Sequence, residues 1–109
     1  MSKIVVVEYR TRPDAAEENQ RLVEQVYAQL AREEPDGLRY ATFRLTDGVT
    51  FIHISITEGA VNPLIRLSAF TEFQREISER YEELPRRLGA SLAASYHFLA
   101  ADAITDDTE

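Results

Sequence analysis

Two side chains stand where their chemistry is out of keeping with their neighbours. His53 lies in the middle of V-T-F-I-H-I-S-I-T, residues 49–57, and Asn19 falls on an otherwise apolar helical stripe. An imidazole titrates near neutrality, so His53 could act as a base or could orient a ligand in a cavity. It could equally be a buried histidine bonded to a neighbouring strand or subunit. A buried amide must find partners, so Asn19 reads either as a ligand anchor between helix and sheet or as a group bonded to a strand or to water. Tyr9, Tyr40 and Arg44 could offer phenols and a guanidinium to an anionic or aromatic ligand; Arg44 could instead pair with Glu8 or stay at the rim. Phe70, Phe73 and Tyr81 recur at helical spacing. They would line a helix–sheet cavity or serve as plain core.

Other chemistries find no support in the residue types. There is no cysteine, hence no disulfide, thiolate nucleophile or zinc–thiolate site. The four glycines (37, 48, 59, 89) are isolated turn residues and build no phosphate loop, so no nucleotide cofactor is expected. Only two histidines exist, His53 and His97. In a sheet of order 4-1-3-2 they would be separated by strand one, about 10 Å at ordinary strand spacing, so no shared metal is expected. The net charge of −7 argues against nucleic acid and against anionic membranes. The start, M-S-K-I-V-V-V-E-Y, is too short in its apolar run for a signal peptide, and no stretch approaches the roughly 18 apolar residues of a spanning helix. A cytoplasmic protein is expected.

These residues need a scaffold to position them, and hydropathy supplies one. Residues 3–11, with four apolar residues in a row, read as a strand covered on both faces. Arg12-Pro13-Asp14 ends it, with Asp14 as the expected cap of a helix over 15–33 striped by Ala15, Leu22, Val23, Val26, Tyr27 and Leu30. Pro35-Asp36-Gly37 stops that helix. Residues 38–46 and 49–57 are strands two and three, joined by a two-residue Asp47-Gly48 hairpin turn. Residues 58–67 form an apolar connection that should fold over a partner or a cavity mouth. Ser68 is the expected cap of a second helix, 69–84, whose buried stripe is Phe70, Phe73, Ile77, Tyr81 and Leu84, ended by Pro85. The charged run from Arg75 to Glu83 reads as its solvated face. Residues 86–94 form a link, 95–99 a short fourth strand, and 101–109 an acidic, flexible tail to a single domain covering 1–100.

The order strand, helix, strand, strand, helix, strand is the ferredoxin-like α+β pattern: βαββαβ with a four-stranded antiparallel sheet. In strand three, Ile52, Ile54 and Ile56 make an aliphatic face that wants the core. Phe51, His53 and Ser55 make the opposite face, and with Tyr40 and Val5 or Val7 they leave it too apolar to be wet. A sheet with such an uncovered face should form a homodimer through it, two sheets closing into a barrel.

The segments I-V-V-V-E-Y-R-T-R-P-D, E-P-D-G-L-R-Y-A-T-F-R-L and S-A-F-T-E-F-Q-R-E-I, in this layout, resemble the dimeric α/β-barrel superfamily, above all its small members similar to antibiotic biosynthesis monooxygenases. The resemblance spans residues 3–99 and implies a homodimeric barrel. It implies a cofactor-free monooxygenase-like enzyme, or a binder of a small apolar or aromatic compound. In that reading the ligand lies between sheet and helices, lined by Tyr40, Phe51, His53, Phe70 and Phe73, with Asn19 as polar anchor and His53 or Asn19 orienting it. The related enzymes use a tryptophan after strand three and an asparagine near strand one; this chain has neither. The other reading is a non-catalytic structural or interaction homodimer whose polar interior residues fix register.

Overall fold

The computed structural model describes residues 2–98. Strand β1 (Lys3–Thr11) leads through a 3-10 turn at Pro13–Ala15 into helix α1 (Ala16–Glu33). Strands β2 (Leu38–Arg44) and β3 (Thr50–Thr57) form a hairpin. A 3-10 turn (Pro63–Arg66) and a short helix α2 (Ser68–Gln74) follow, then β4 (Tyr81–Ala90). The sheet order is β2-β3-β1-β4 and every pairing is antiparallel. This is the ferredoxin-like βαββαβ arrangement, with the first strand in the interior of the sheet.

The first half follows the hydropathy closely. Helix α1 buries Ala16, Asn19, Leu22, Val23, Val26 and Gln29 on one face, and ends with Glu34 in the left-handed region as its N–H bonds to Leu30. Asp14 does not cap it: the cap position is Ala15, without a side-chain bond, and Asp14 faces Arg12 at 3.5 Å. The hairpin turn is longer than two residues. Pairing closes at Leu45, whose N–H reaches the Thr50 carbonyl at 2.9 Å, and Gly48 takes a φ of 82°. Asp47 locks it by accepting from the N–H groups of Val49 and Thr50 and from the Thr50 hydroxyl. These three bonds favour the charged form and hold the Asp47 carboxyl at about 2.

The second half departs from the periodicity. Helix α2 stops at Gln74 rather than at residue 84. Glu76 then adopts a left-handed φ of 55°, which a continuing helix excludes. Ser68 is its first residue rather than its cap; Leu67 stands at the cap, and the Ser68 hydroxyl turns to Gln29. Tyr81, Leu84 and Pro85 belong to β4, not to a helix. Between the pairs Glu8·Arg86 and Arg10·Glu83, Leu84 and Pro85 together oppose Tyr9, which is a β-bulge. Pro85 is tolerated there because β4 is an edge strand and a bulged residue owes the ladder no N–H. Residues 95–98, expected as the fourth strand, form no strand. Residue 99 and the 101–109 tail lie outside the described residues.

The faces are also reversed. Tyr9, Phe51 and His53 point under the helices and join Leu22, Val23, Val26, Leu64, Leu67 and Phe73 in and around the core. The connection 58–67 does fold over this core, through buried Leu64 and Leu67, with Asn62 capping its 3-10 turn. The isoleucines face away. Ile52, Ile54 and Ile56 lie beside Ile4 and Val6 of β1, Ala41 and Phe43 of β2, and Leu88 of β4 on a face that no element among the described residues covers. Phe43 and Leu88 are 38% and 46% exposed.

Candidate functional site

Under the helices a continuous chain of polar groups crosses the core. It begins at Arg80, the residue before β4, which is only 7% exposed. Its backbone carbonyl accepts from Arg12, extending the β1–β4 ladder and turning the side chain inward. The guanidinium donates from Nε to Asn19 Oδ1 at 3.0 Å, from one terminal nitrogen to the Phe73 carbonyl at 2.6 Å and from the other to the Arg75 carbonyl at 3.4 Å. It also lies 5.3 Å from the Phe73 ring centre. No carboxylate among the described residues pairs with it. Burial lowers its pKa, and carbonyl oxygens carry the compensation.

Asn19, presented by the first turns of α1 and fully buried, donates from Nδ2 to the Tyr9 hydroxyl at 2.8 Å. That hydroxyl is 2.9 Å from Nε2 of His53. On the other side of the ring, Nδ1 lies 2.7 Å from the Tyr40 hydroxyl and 3.1 Å from the Thr42 hydroxyl, which is itself 2.8 Å from the Tyr27 hydroxyl. Strand register makes this possible: His53 pairs with Val7 and Thr42, and Tyr40 with Ser55, so all these side chains share one face.

The electrostatics follow from burial. Desolvation pulls the His53 imidazole down to about 4, so it is neutral at physiological pH. The same cause pushes the Tyr27 phenol up to about 12, and those of Tyr9 and Tyr40 above the ordinary range. All three phenols are therefore neutral donors and acceptors, not phenolates. Both imidazole nitrogens are occupied, and among the described residues no group of three His, Asp or Glu side chains could hold a metal. His97 is remote from this chain in sequence and lies in the bend after β4, not in a strand.

Asn19, Tyr40, Phe51, His53 and Phe73 are thus brought together under the helices. Phe51 stacks on Tyr9 at 5.7 Å and Phe73 tilts against His53 at 5.6 Å. Phe70 is one ring further out, 6.1 Å from Phe73. Arg44 stays at the edge of the cluster: its guanidinium lies 5.5 Å from the Phe51 ring centre and pairs with Glu17 at 2.9 Å, while Glu8 pairs with Arg86. The expected cavity between sheet and helices is filled by these side chains, His53 being 5% exposed. The open space lies beside it, in an apolar groove of about 360 Å³ between the C-terminal half of α1 and β2. The groove is lined by Tyr27, Leu30, Ala31, Glu34, Pro35, Leu38 and Tyr40. Of the expected ligand residues, Tyr40 alone reaches it. Arg80 escaped sequence reasoning because it sits in a run of charges; Thr42 and Tyr27 looked like ordinary strand and stripe residues.

No family model and no curated protein matches the chain. Solved structures do. Rv0793 from Mycobacterium tuberculosis is similar over 87% of this chain and 98% of its own, with a TM-score of 0.70 at 15% identity. A candidate antibiotic biosynthesis monooxygenase from Nitrosomonas europaea matches over 84% and 90%, with a TM-score of 0.69 at 12% identity. SnoaB, a cofactor-independent oxygenase from Streptomyces nogalater, matches over 86% and 95%, with a TM-score of 0.63 at 12% identity. The class these likenesses define is a fold, the ferredoxin-like α+β one. Within it, the chain has the fold of the antibiotic biosynthesis monooxygenase-like proteins.

Proposed function

We propose that the protein is a homodimeric binder of a small apolar, aromatic compound, of the monooxygenase-like kind that acts without a cofactor. The observation that carries this reading is the groove beside Tyr40. It has the size of a small-ligand site, its lining is apolar and aromatic apart from Glu34, and its Tyr40 wall is hydrogen-bonded to the buried imidazole. An electron-rich ring held against Tyr27 and Tyr40 would react with dioxygen through its own electrons, while Tyr40, itself held by His53, fixes its orientation. The likeness to SnoaB and to the Nitrosomonas protein supports the same direction at the level of fold.

The homodimer rests on the uncovered aliphatic face. A centre of Ile4, Val6, Ile52, Ile54 and Ile56, with Glu8, Arg39 and Arg86 at its margins, has the apolar middle and charged rim of a protein interface. A second copy supplies an identical face.

Titration of ¹⁵N-labelled protein with 1-naphthol tests the ligand reading, with oxygen uptake followed in parallel. The expected result is saturable shifts at Tyr27, Leu38 and Tyr40. Saturation without oxygen uptake leaves a binder; absence of shifts overturns the groove as a site. A second reading, a purely structural dimer, is favoured by one observation: the chamber under the helices is filled. Under that reading no aromatic probe shifts the groove, and Tyr40→Phe alters stability alone.

A further inference from the structure

The polar chain through the core has a direction, and one residue sets it. A guanidinium can only donate, so Asn19 must turn its carbonyl oxygen to Arg80 and its amide nitrogen to Tyr9. The Tyr9 oxygen then accepts from Asn19, and its proton has His53 Nε2 as its partner among the described residues. Were Nε2 itself protonated, the Tyr9 proton would be stranded at a site 3% exposed, which disfavours that state by about tenfold. His53 is neutral, so its one proton resides on Nδ1 and is donated to the oxygens of Tyr40 and Thr42.

The far end of the chain is consequently rich in protons. The hydroxyls of Tyr27, Tyr40 and Thr42 meet Nδ1–H in a cluster joined by three contacts. Nδ1–H serves two of them and one hydroxyl proton serves the third, so two hydroxyl protons remain. Tyr40, whose oxygen accepts from His53, has the Thr42 hydroxyl as a partner for its own proton, and an acceptor oxygen in the groove that Tyr40 lines would compete for it.

We infer that Arg80 is a positioning residue: through Asn19 and Tyr9 it fixes the Nδ1–H tautomer of His53, and thereby makes the groove a donor site for a ligand bearing an acceptor oxygen. The ligand clause rests on the groove reading above; the tautomer clause does not. Arg80 touches no ligand. It acts at the opposite end of the polar chain, where a formal charge with no carboxylate partner among the described residues biases the direction of every bond that follows.

The Asn19→Asp variant tests this sharply. Its carboxylate is nearly isosteric and can pair with Arg80, so the fold is retained, but it donates to nothing. Tyr9 must then donate to the carboxylate, Nε2–H to Tyr9, and Tyr40 turns its proton inward to Nδ1. Two-bond ¹H–¹⁵N correlations of the imidazole, recorded in a His97→Gln background where His53 is the only histidine, read the tautomer directly. The expected result is Nδ1–H in the parent, Nε2–H in Asn19→Asp, and a mixture in Arg80→Met. The same tautomer in parent and Asn19→Asp, or Nε2–H in the parent, overturns the assignment to Arg80. For the ligand clause, acetophenone should bind the parent about fivefold more tightly than its hydrocarbon isostere cumene, and Asn19→Asp should shrink that preference. Equal binding of the two probes overturns the donor-site clause. Failure of both to shift Tyr27 and Leu38 overturns the groove itself, while the tautomers, measured on free protein, still decide the role of Arg80.

Discussion

The two faces of one sheet divide the chemistry of this protein in an unexpected way. The face under the helices carries Thr11, Tyr9, His53, Ser55 and Thr57, and the face turned to solvent carries the isoleucines and Val6. Burying polar groups is costly only when they lack partners. Here the imidazole, the amide, the guanidinium and the phenols satisfy one another, so the covered face is both polar and stable. The aliphatic face has no such internal solution among the described residues. One face is self-sufficient and the other incomplete.

The largest test of this contrast is truncation on each side. Asn19→Ala leaves Arg80 and Tyr9 facing a void, with an expected loss of about 3 kcal/mol in urea unfolding. Ile54→Ala, on the open face, should cost about 1 kcal/mol or less in the monomer. Reversal of that order would break the comparison. Acid gives the next largest effect. The His53 pKa is lower folded (about 4) than unfolded (6.5), so the unfolded state binds more protons between those values. Stability should therefore fall as the pH drops through that window, by up to roughly 3 kcal/mol, and His53→Gln should flatten the dependence. A curve unchanged by that substitution would mean the imidazole is not the group being titrated.

Smaller in energy but plain in outcome, Ile54→Lys on the open face should yield a folded monomer by light scattering while the parent is a dimer. A monomeric parent would remove the proposed partner surface. The smallest effect is at the hairpin. Asp47→Ala should loosen the β2–β3 turn, seen as faster amide exchange at Val49 and Thr50, and leave the His53 tautomer unchanged.

Local pattern explains what could be read from the residues. Strand β1, helix α1 and the β2–β3 hairpin announce themselves because each carries its own period and its own stop signal. Helix α2 and β4 do not. Phe70, Phe73, Ile77, Tyr81 and Leu84 keep helical spacing by coincidence across a break at Glu76, and β4 is a charged edge strand interrupted by Pro85, so it lacks alternation. His53 and Asn19 were visible as polar residues in apolar surroundings. Arg80 was not, because only the turn into β4 converts one charge among many into a buried one. Local pattern assigns the core to the isoleucine face of β3, and the helices cover the other, since either side carries enough apolar surface.

The position of β1 has a consequence for how the chain is made. It leaves the ribosome ahead of both its partners, being paired on either side by segments, Thr50–Thr57 and Tyr81–Ala90, that come much later. Until then Ile4-Val5-Val6-Val7, a β-prone run without charge, has no hydrogen-bond partner. The hairpin of β2 and β3 can form on its own and offers β1 its first shelter. The other edge of β1 stays open until β4 has been made, since the pair Ile4 and Ala90 joins residues far apart in the chain.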